Sequence, residues 1–166
     1  TVTLAAGCLM TNLNQTIIGI VDNGEGHLVV DGGTLVTRSL RLNVFGGATV
    51  LSQGTRFELK SGTVHLDSSF GGVNAGDVEL GLNESAAMEI SGGVLTVDNN
   101  FDFTAGLLTV SGASGLIQIG NTLRLGTAIN STTQLSFELD ESVSVSTLFA
   151  DVFSLEGVTV LEVDTS

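Results

Sequence analysis

Short triplets of apolar, polar and apolar residues recur along most of this chain, and Gly, Asn, Asp or Ser usually follows them. Clear examples are Phe57-Glu58-Leu59, Met88-Glu89-Ile90, Phe101-Asp102-Phe103, Ile117-Gln118-Ile119 and Leu123-Arg124-Leu125. Such alternation is typical of a β-strand with one face toward a core and the other toward water. We therefore predict an all-β chain with its Leu, Val, Ile and Phe side chains inside.

The middle position of these triplets is predicted to face water and is chemically mixed. The residues predicted to point outward are Glu58, Glu79, Glu89, Asp102, Arg124 and Glu138. The same alternation predicts that Phe101 and Phe103 are buried. Residues 146–155 come nearest to a helical pattern, but we favour a strand there as well.

The triplets belong to a longer repeat that glycine marks. Residues 28–36 align with residues 57–66 and 88–97, and each copy has two strand-like stretches around a glycine turn. The second glycine of each turn is Gly33, Gly62 or Gly93, so the steps are 29 (62 − 33) and 31 (93 − 62) residues. Repeats of this size, with two or three short strands each, are typical of one turn of a coiled parallel sheet.

The fold class predicted from this repeat is a parallel β-helix (β-solenoid) with short strands. Each triplet is too short for a stable hairpin, whereas stacked parallel strands pair with the layers above and below at about 4.8 Å. An antiparallel β-sandwich or jelly roll is the alternative. It would need more tight hairpin turns than Asn23-Gly24 and Asp31-Gly32 provide.

The first part of the chain differs from the rest. Residues 1–25 are predicted to form an N-terminal cap or a strand segment that pairs with a partner, and Ile17-Ile18-Gly19-Ile20-Val21 is a strong strand signal. Residues 26–166 are predicted to form the β-solenoid repeat domain.

Composition excludes several kinds of partner. The 166 residues carry 18 Asp and Glu against 5 Lys and Arg, which gives a formal net charge of −13. Nucleic-acid binding needs a basic surface, so we exclude it. No apolar run is long enough for a transmembrane helix, so we expect no membrane insertion.

The single cysteine, Cys8, cannot form an internal disulfide.

Candidate chemistry is sparse. His27 and His65 occupy comparable places near glycine turns but lack zinc-ligand spacing, so we interpret them as solvent-facing strand residues. Stacked layers would place Glu58 beside Glu89, a carboxylate pair of the kind that glycosidases use. The five basic residues are too dispersed to bind an anionic sugar. We therefore predict no enzyme activity and no catalytic, cofactor-binding or metal-binding residues.

Calcium is the one cofactor that the sequence leaves open. Asp98-Asn99-Asn100 with Asp102, and separately Asp140-Glu141, offer the oxygen ligands that calcium prefers. The glycine-rich calcium repeat is absent from the sequence, so an Asn-rich turn is the favoured interpretation of residues 98–100.

The Gly-Gly-x-Leu-x-Val rhythm resembles the repeats of bacterial surface proteins of the autotransporter type and of secreted proteins associated with PEP-CTERM sorting signals. Residues 90–97, 134–139 and 155–160 carry the resemblance, which covers residues 26–164. It implies an extracellular or cell-surface location and a structural or adhesive role, and it implies no catalytic residues.

The predicted function is therefore that of a non-enzymatic extracellular structural protein. It would be a surface-layer or filament-forming subunit that self-associates into a homopolymer through the solenoid ends or by strand addition. The alternative is a carbohydrate-binding or polysaccharide-processing β-helix. The chain has 8 Phe but no Trp or Tyr, the residues that sugar-binding surfaces favour.

Overall fold

A computed structural model describes residues 1–19, 26–42, 55–81, 86–111, 114–126, 132–138, 147–155 and 158–164. Its strands, in chain order, are β1 (Val2–Ala5), β2 (Leu9–Ile18), β3 (His27–Leu42), β4 (Arg56–Leu66), β5 (Val78–Leu80), β6 (Ala86–Ile90), β7 (Val94–Val97), β8 (Phe101–Phe103), β9 (Gly106–Val110), β10 (Leu116–Leu125), β11 (Thr132–Glu138), β12 (Thr147–Leu155) and β13 (Val158–Asp164). Within these ranges the one helical element is a 3-10 turn at Ser68–Phe70.

The strands stack in three parallel rows. The first row contains β1, β6, β9, β11, β13 and the opening parts of β3 and β4. The second row contains β7, the opening parts of β2, β10 and β12, the middle of β3 and the end of β4. The third row contains β5, β8 and the closing parts of β2, β3, β10 and β12. Equivalent triplets of successive repeats therefore lie side by side.

The rows are parts of one 13-stranded sheet that closes on itself. Strands β3, β5, β8, β10, β7 and β4 form a ring in which each strand pairs with the next and β4 pairs again with β3. The ring closes because β3 and β10 each run from the second row into the third without a break, and β4 joins β3 to β7 within the second row. The architecture is a closed six-strand parallel barrel with further strands added to it.

The fold prediction was thus correct in part and wrong in its class. The all-β content and the parallel pairing are confirmed, and the strand at Thr147–Leu155 is also as expected. The parallel β-helix (β-solenoid), including that label for residues 26–166, is wrong because the sheet closes through continuous strands. The antiparallel sandwich or jelly roll is wrong because the described strands pair in parallel. Filament and adhesion roles inferred from an open coil lose that basis.

The core is built from the inward positions of the triplets. Phe57, Phe101, Phe103, Leu59 and Leu95 are all fully buried, as the alternation predicts for both Phe101 and Phe103. The stacked columns bring one apolar side chain from each layer against the next, so burial of the core depends directly on strand register.

Glycines occupy the corner between the first and second rows, where the backbones of successive layers lie close together. A Cβ on Gly62 would lie 2.2 Å from the carbonyl oxygen of Gly33, and one on Gly93 would lie 2.6 Å from the carbonyl oxygen of Gly62. Gly62 also has a φ of 95°, which other residues rarely adopt. The repeating glycines of the sequence are therefore required by backbone contact between layers.

We predict that Gly62→Ala destabilises the fold far more than Gly7→Ala. Both glycines have positive φ, but a Cβ on Gly7 meets nothing within 4 Å. Gly7→Ala should therefore cost only the backbone strain, about 1–2 kcal/mol. Gly62→Ala must also displace the backbone of the neighbouring layer. Urea unfolding measures the difference; equal losses of stability would show that the contact between layers is unimportant.

A second prediction compares two leucines in the same sheet. Leu95 is fully buried, whereas Leu13 is exposed. Leu95→Ala should reduce the free energy of unfolding by about 2–5 kcal/mol because it leaves a cavity in the core. Leu13→Ala should change it by less than about 0.5 kcal/mol. Unfolding curves of dilute protein check this, and a large effect at Leu13 would contradict the burial described.

Candidate functional site

The densest group of polar side chains lies on the outer face of the first row. We call His27, Arg56, Glu58, Lys60 and Glu89 the Glu58 cluster. Glu58 and Glu89 are neighbours in register, as the stacked repeats predicted. Glu58 lies on the outer face as predicted, but the prediction that it faces water is wrong, because it is buried beneath its partners.

Three cationic or potentially cationic groups surround the Glu58 carboxylate. Oε1 lies 3.0 Å from His27 Nε2 and 2.8 Å from Arg56 Nε, and Oε2 lies 3.2 Å from Lys60 Nζ. Arg56 also bonds to the Glu89 carboxylate through its second nitrogen. The cluster thus ties together β3, β4 and β6, one strand from each of three successive layers.

These contacts determine the ionisation of Glu58. Burial by itself would raise the pKa of this carboxyl, but the hydrogen bond from Lys60, the charges of Arg56 and Lys60 and the contact with His27 outweigh burial. The pKa of Glu58 is therefore lowered from its ordinary value, and the group stays ionised at neutral pH.

A carboxylate held in this state does not suit the proton-donor role in a glycosidase. One of the two carboxyls in a glycosidase must donate a proton, which requires a raised pKa. The pKa of Glu58 moves in the opposite direction. Arg56 bonds to both Glu58 and Glu89, so the two carboxylates share one cationic partner. Their adjacency is explained by charge pairing between layers.

A hydroxyl also lies near His27, so Thr1, His27 and Glu58 stand in the same order as the nucleophile, base and acid of a catalytic triad. Thr1 Oγ1 lies 3.4 Å from His27 Nδ1, on the side of the ring opposite Glu58. That separation is longer than the usual nucleophile–base hydrogen bond of about 2.6–3.2 Å, so the contact in this structure is weak. In addition, Arg56 and Lys60 already balance the charge with which Glu58 would stabilise a protonated His27.

The second histidine has an equivalent partner one row away. His65 Nε2 lies 2.9 Å from Asp98 Oδ1, and the Ser68 backbone N–H and hydroxyl donate to Asp98 Oδ2 at 2.9 and 3.1 Å. Burial alone would raise the pKa of Asp98, but the donors from Ser68 and the contact with His65 lower it. Here the acid stands between the serine and the histidine, whereas a catalytic triad needs the histidine in the middle.

The turn at residues 98–100 is held by hydrogen bonds to the loop that precedes β5. Asn99 Nδ2 donates to the Ala75 carbonyl at 2.5 Å, and the Asn100 backbone N–H donates to Asp77 Oδ1 at 3.0 Å. Among the described residues, no three His, Cys, Asp or Glu side chains come together as metal ligands. Asp140 and Glu141, the other suggested calcium ligands, lie outside the described residues.

Charge pairing between layers extends to the third row. Arg41, Glu79, Asp102 and Arg124 stand in one register line across four layers. Arg41 bonds to Glu79, and Arg124 Nη1 donates to Asp102 Oδ1 at 2.7 Å. Sequence reasoning placed Glu79, Asp102 and Arg124 in equivalent outward positions but missed the ion pairs between layers. The signal was present, because opposite charges occupy the same position in successive repeats.

The sheet also has two ends at which strands have a single described pairing partner. The first edge consists of β1 and β2, which pair with β3, and the last edge consists of β12 and β13, which pair with β10 and β11. Of the eight large hydrophobic side chains exposed in the described part, six lie on these edges: Val2, Leu9, Leu13, Phe149, Val152 and Phe153. Open strand edges with exposed apolar side chains are typical of interaction surfaces.

Comparison with known proteins yields no relatives: no family model, no curated protein and no solved structure matches this chain. The part of the chain that is described has no helix of the length and hydropathy needed to cross a membrane. The resemblance to bacterial surface repeats therefore stays a prediction.

We predict that the Glu58 cluster makes stability sensitive to acid. A lowered pKa in the folded state stabilises the protein fully above the ordinary value of 4.5, and this contribution is lost as pH falls through the folded-state value. Glu58→Gln should therefore be less stable than the wild type at neutral pH and should lose less stability on acidification.

Urea midpoints between about pH 6 and about pH 3 measure this effect. Asp151→Asn is the control, since Asp151 is an exposed carboxylate on β12 and its removal changes the net charge equally. If both variants follow the wild-type pH profile in parallel, the proposed contribution of Glu58 is wrong.

Proposed function

We propose that this chain is a non-enzymatic structural subunit that self-associates into a homopolymer by strand addition at its sheet edges. The observation that carries the proposal is the concentration of exposed apolar side chains on the first and last edges. A strand with one open side presents unpaired backbone groups that a second chain can pair with.

The polar side chains support the same conclusion. Both histidines and four of the five Lys and Arg residues bond to a carboxylate, and most of these bonds join different layers of the sheet. Groups used in this way hold the layers in register. Their arrangement favours a scaffold over a reaction centre, because the two serine- or threonine-containing groups lack the order or spacing that nucleophilic catalysis requires.

The carbohydrate-binding or polysaccharide-processing alternative has less support. The exposed aromatic side chains of the described part are Phe149 and Phe153, which lack the polar handle that Trp and Tyr offer a sugar. The extracellular or cell-surface location stays a prediction from the sequence pattern.

Self-association is tested by sedimentation velocity and negative-stain microscopy over about 1–500 µM protein, because assembly depends on concentration. A subunit of charge −13 repels its copies, so assembly should increase from about 0.05 M to about 0.5 M salt. We expect a rising distribution of oligomers. A protein that stays monomeric under all of these conditions, with and without calcium, would overturn the proposal.

A further inference from the structure

At the first edge, a column of equivalent apolar side chains becomes exposed, whereas the same column is buried in the following layers. Val2, Leu28 and Phe57 occupy equivalent positions in three successive layers. Their exposed fractions fall from 58% to 6% to 0%. A side chain in this column is thus buried only when a layer lies on each side of it. Adding a layer beyond β1 would bury apolar surface, which favours association.

Strand β2 presents the longer part of this edge. It spans Leu9–Ile18 and pairs along one side with β3, with an irregularity at Leu13 and Asn14 where the strand passes from the second row to the third. Leu9 and Leu13 are 70% and 68% exposed. Edge strands in natural proteins usually carry charges or proline that discourage pairing, and β2 carries neither. Nothing in its sequence therefore opposes the approach of another strand.

Charge distinguishes the two edges. No Asp, Glu, Lys or Arg occurs among residues 1–21 of a chain whose net charge is −13. The last edge carries Asp151 on β12 and Glu162 and Asp164 in the sequence of β13. These charges are all acidic, so contact between the last edge and its own copy would bring like charges together. The first edge, which has no charged side chain, can meet its own copy without this repulsion.

We propose that the first edge is a docking surface for the first edge of a second copy of this chain, which forms a two-fold dimer through antiparallel pairing of β2 with its counterpart. The proposal rests on the proposed self-association and names its surface and symmetry. A two-fold axis between identical strands reverses one relative to the other, so the pairing is antiparallel. With β2 fully overlapped, Leu13 and Asn14, at the junction between the two halves of the strand, lie beside the axis.

Charge exchange at Leu13 tests this contact. In a two-fold interface, Leu13→Lys alone brings two lysines together and Leu13→Glu alone brings two glutamates together, so each variant should dimerise at least about tenfold more weakly than the wild type. An equimolar mixture should recover dimers, because lysine then meets glutamate. Sedimentation under reducing conditions, at about 0.15 M salt, gives the dissociation constants.

Val73→Lys and Val73→Glu are the matched controls, because Val73 is an exposed apolar residue in the loop before β5, away from both edges. These variants should dimerise like the wild type.

The reactivity of Cys8 is an independent measure of dimer formation. Cys8 is the single cysteine, it is exposed, and it lies between β1 and β2. Dimer formation should slow its reaction with a thiol reagent as protein concentration rises.

The outcomes separate this inference from the proposed function. If the protein assembles but neither Leu13 variant weakens assembly, or the mixture does not recover it, the two-fold contact is wrong while self-association stands. Weakening by Leu13→Glu but not by Leu13→Lys would indicate a contact between the first and last edges and would also overturn the inference. If assembly stops at a dimer with the expected charge exchange, the inference holds and the homopolymer is wrong.

Discussion

Register between successive parallel strands is the constraint on which the rest of this structure depends. A shift of one residue in any layer would turn its apolar side chains outward and its charged side chains inward. The glycine corner enforces that register mechanically, because the Gly33, Gly62 and Gly93 backbones approach too closely for a side chain to fit. The core, the ion pairs between layers and the two open edges all follow from this alignment.

The sequence predicted what depends on local alternation and on repeat spacing. The burial of Phe101 and Phe103, the equivalence of the three glycines and the adjacency of Glu58 and Glu89 could all be derived in this way, because each follows from strand periodicity and the alignment of repeats. Closure of the sheet could not be derived. It depends on β3 and β10 passing a corner without interruption, and alternation alone does not reveal where a strand bends.

The surroundings of Glu58 also lay beyond sequence reasoning. Its alternation places it on the outer face, which is correct, but its burial depends on side chains from other layers. His27 is 31 residues away in sequence, and its bond to Glu58 exists only because β3 and β4 stack. The ion pairs of the third row were missed for the same reason, even though their charges occupy matching positions.

At the corners of the sheet, the number of residues in a connection does not change the arrangement of the core. Between Leu66 and Val78 the chain makes a long excursion that contains the 3-10 turn, whereas one layer later Val97 and Phe101 are joined by a short turn. Both connections deliver the next strand to the same row in the same register. A protein built in this way can acquire or lose residues at its corners without repacking its interior, so its surface can diversify while its layers stay unchanged.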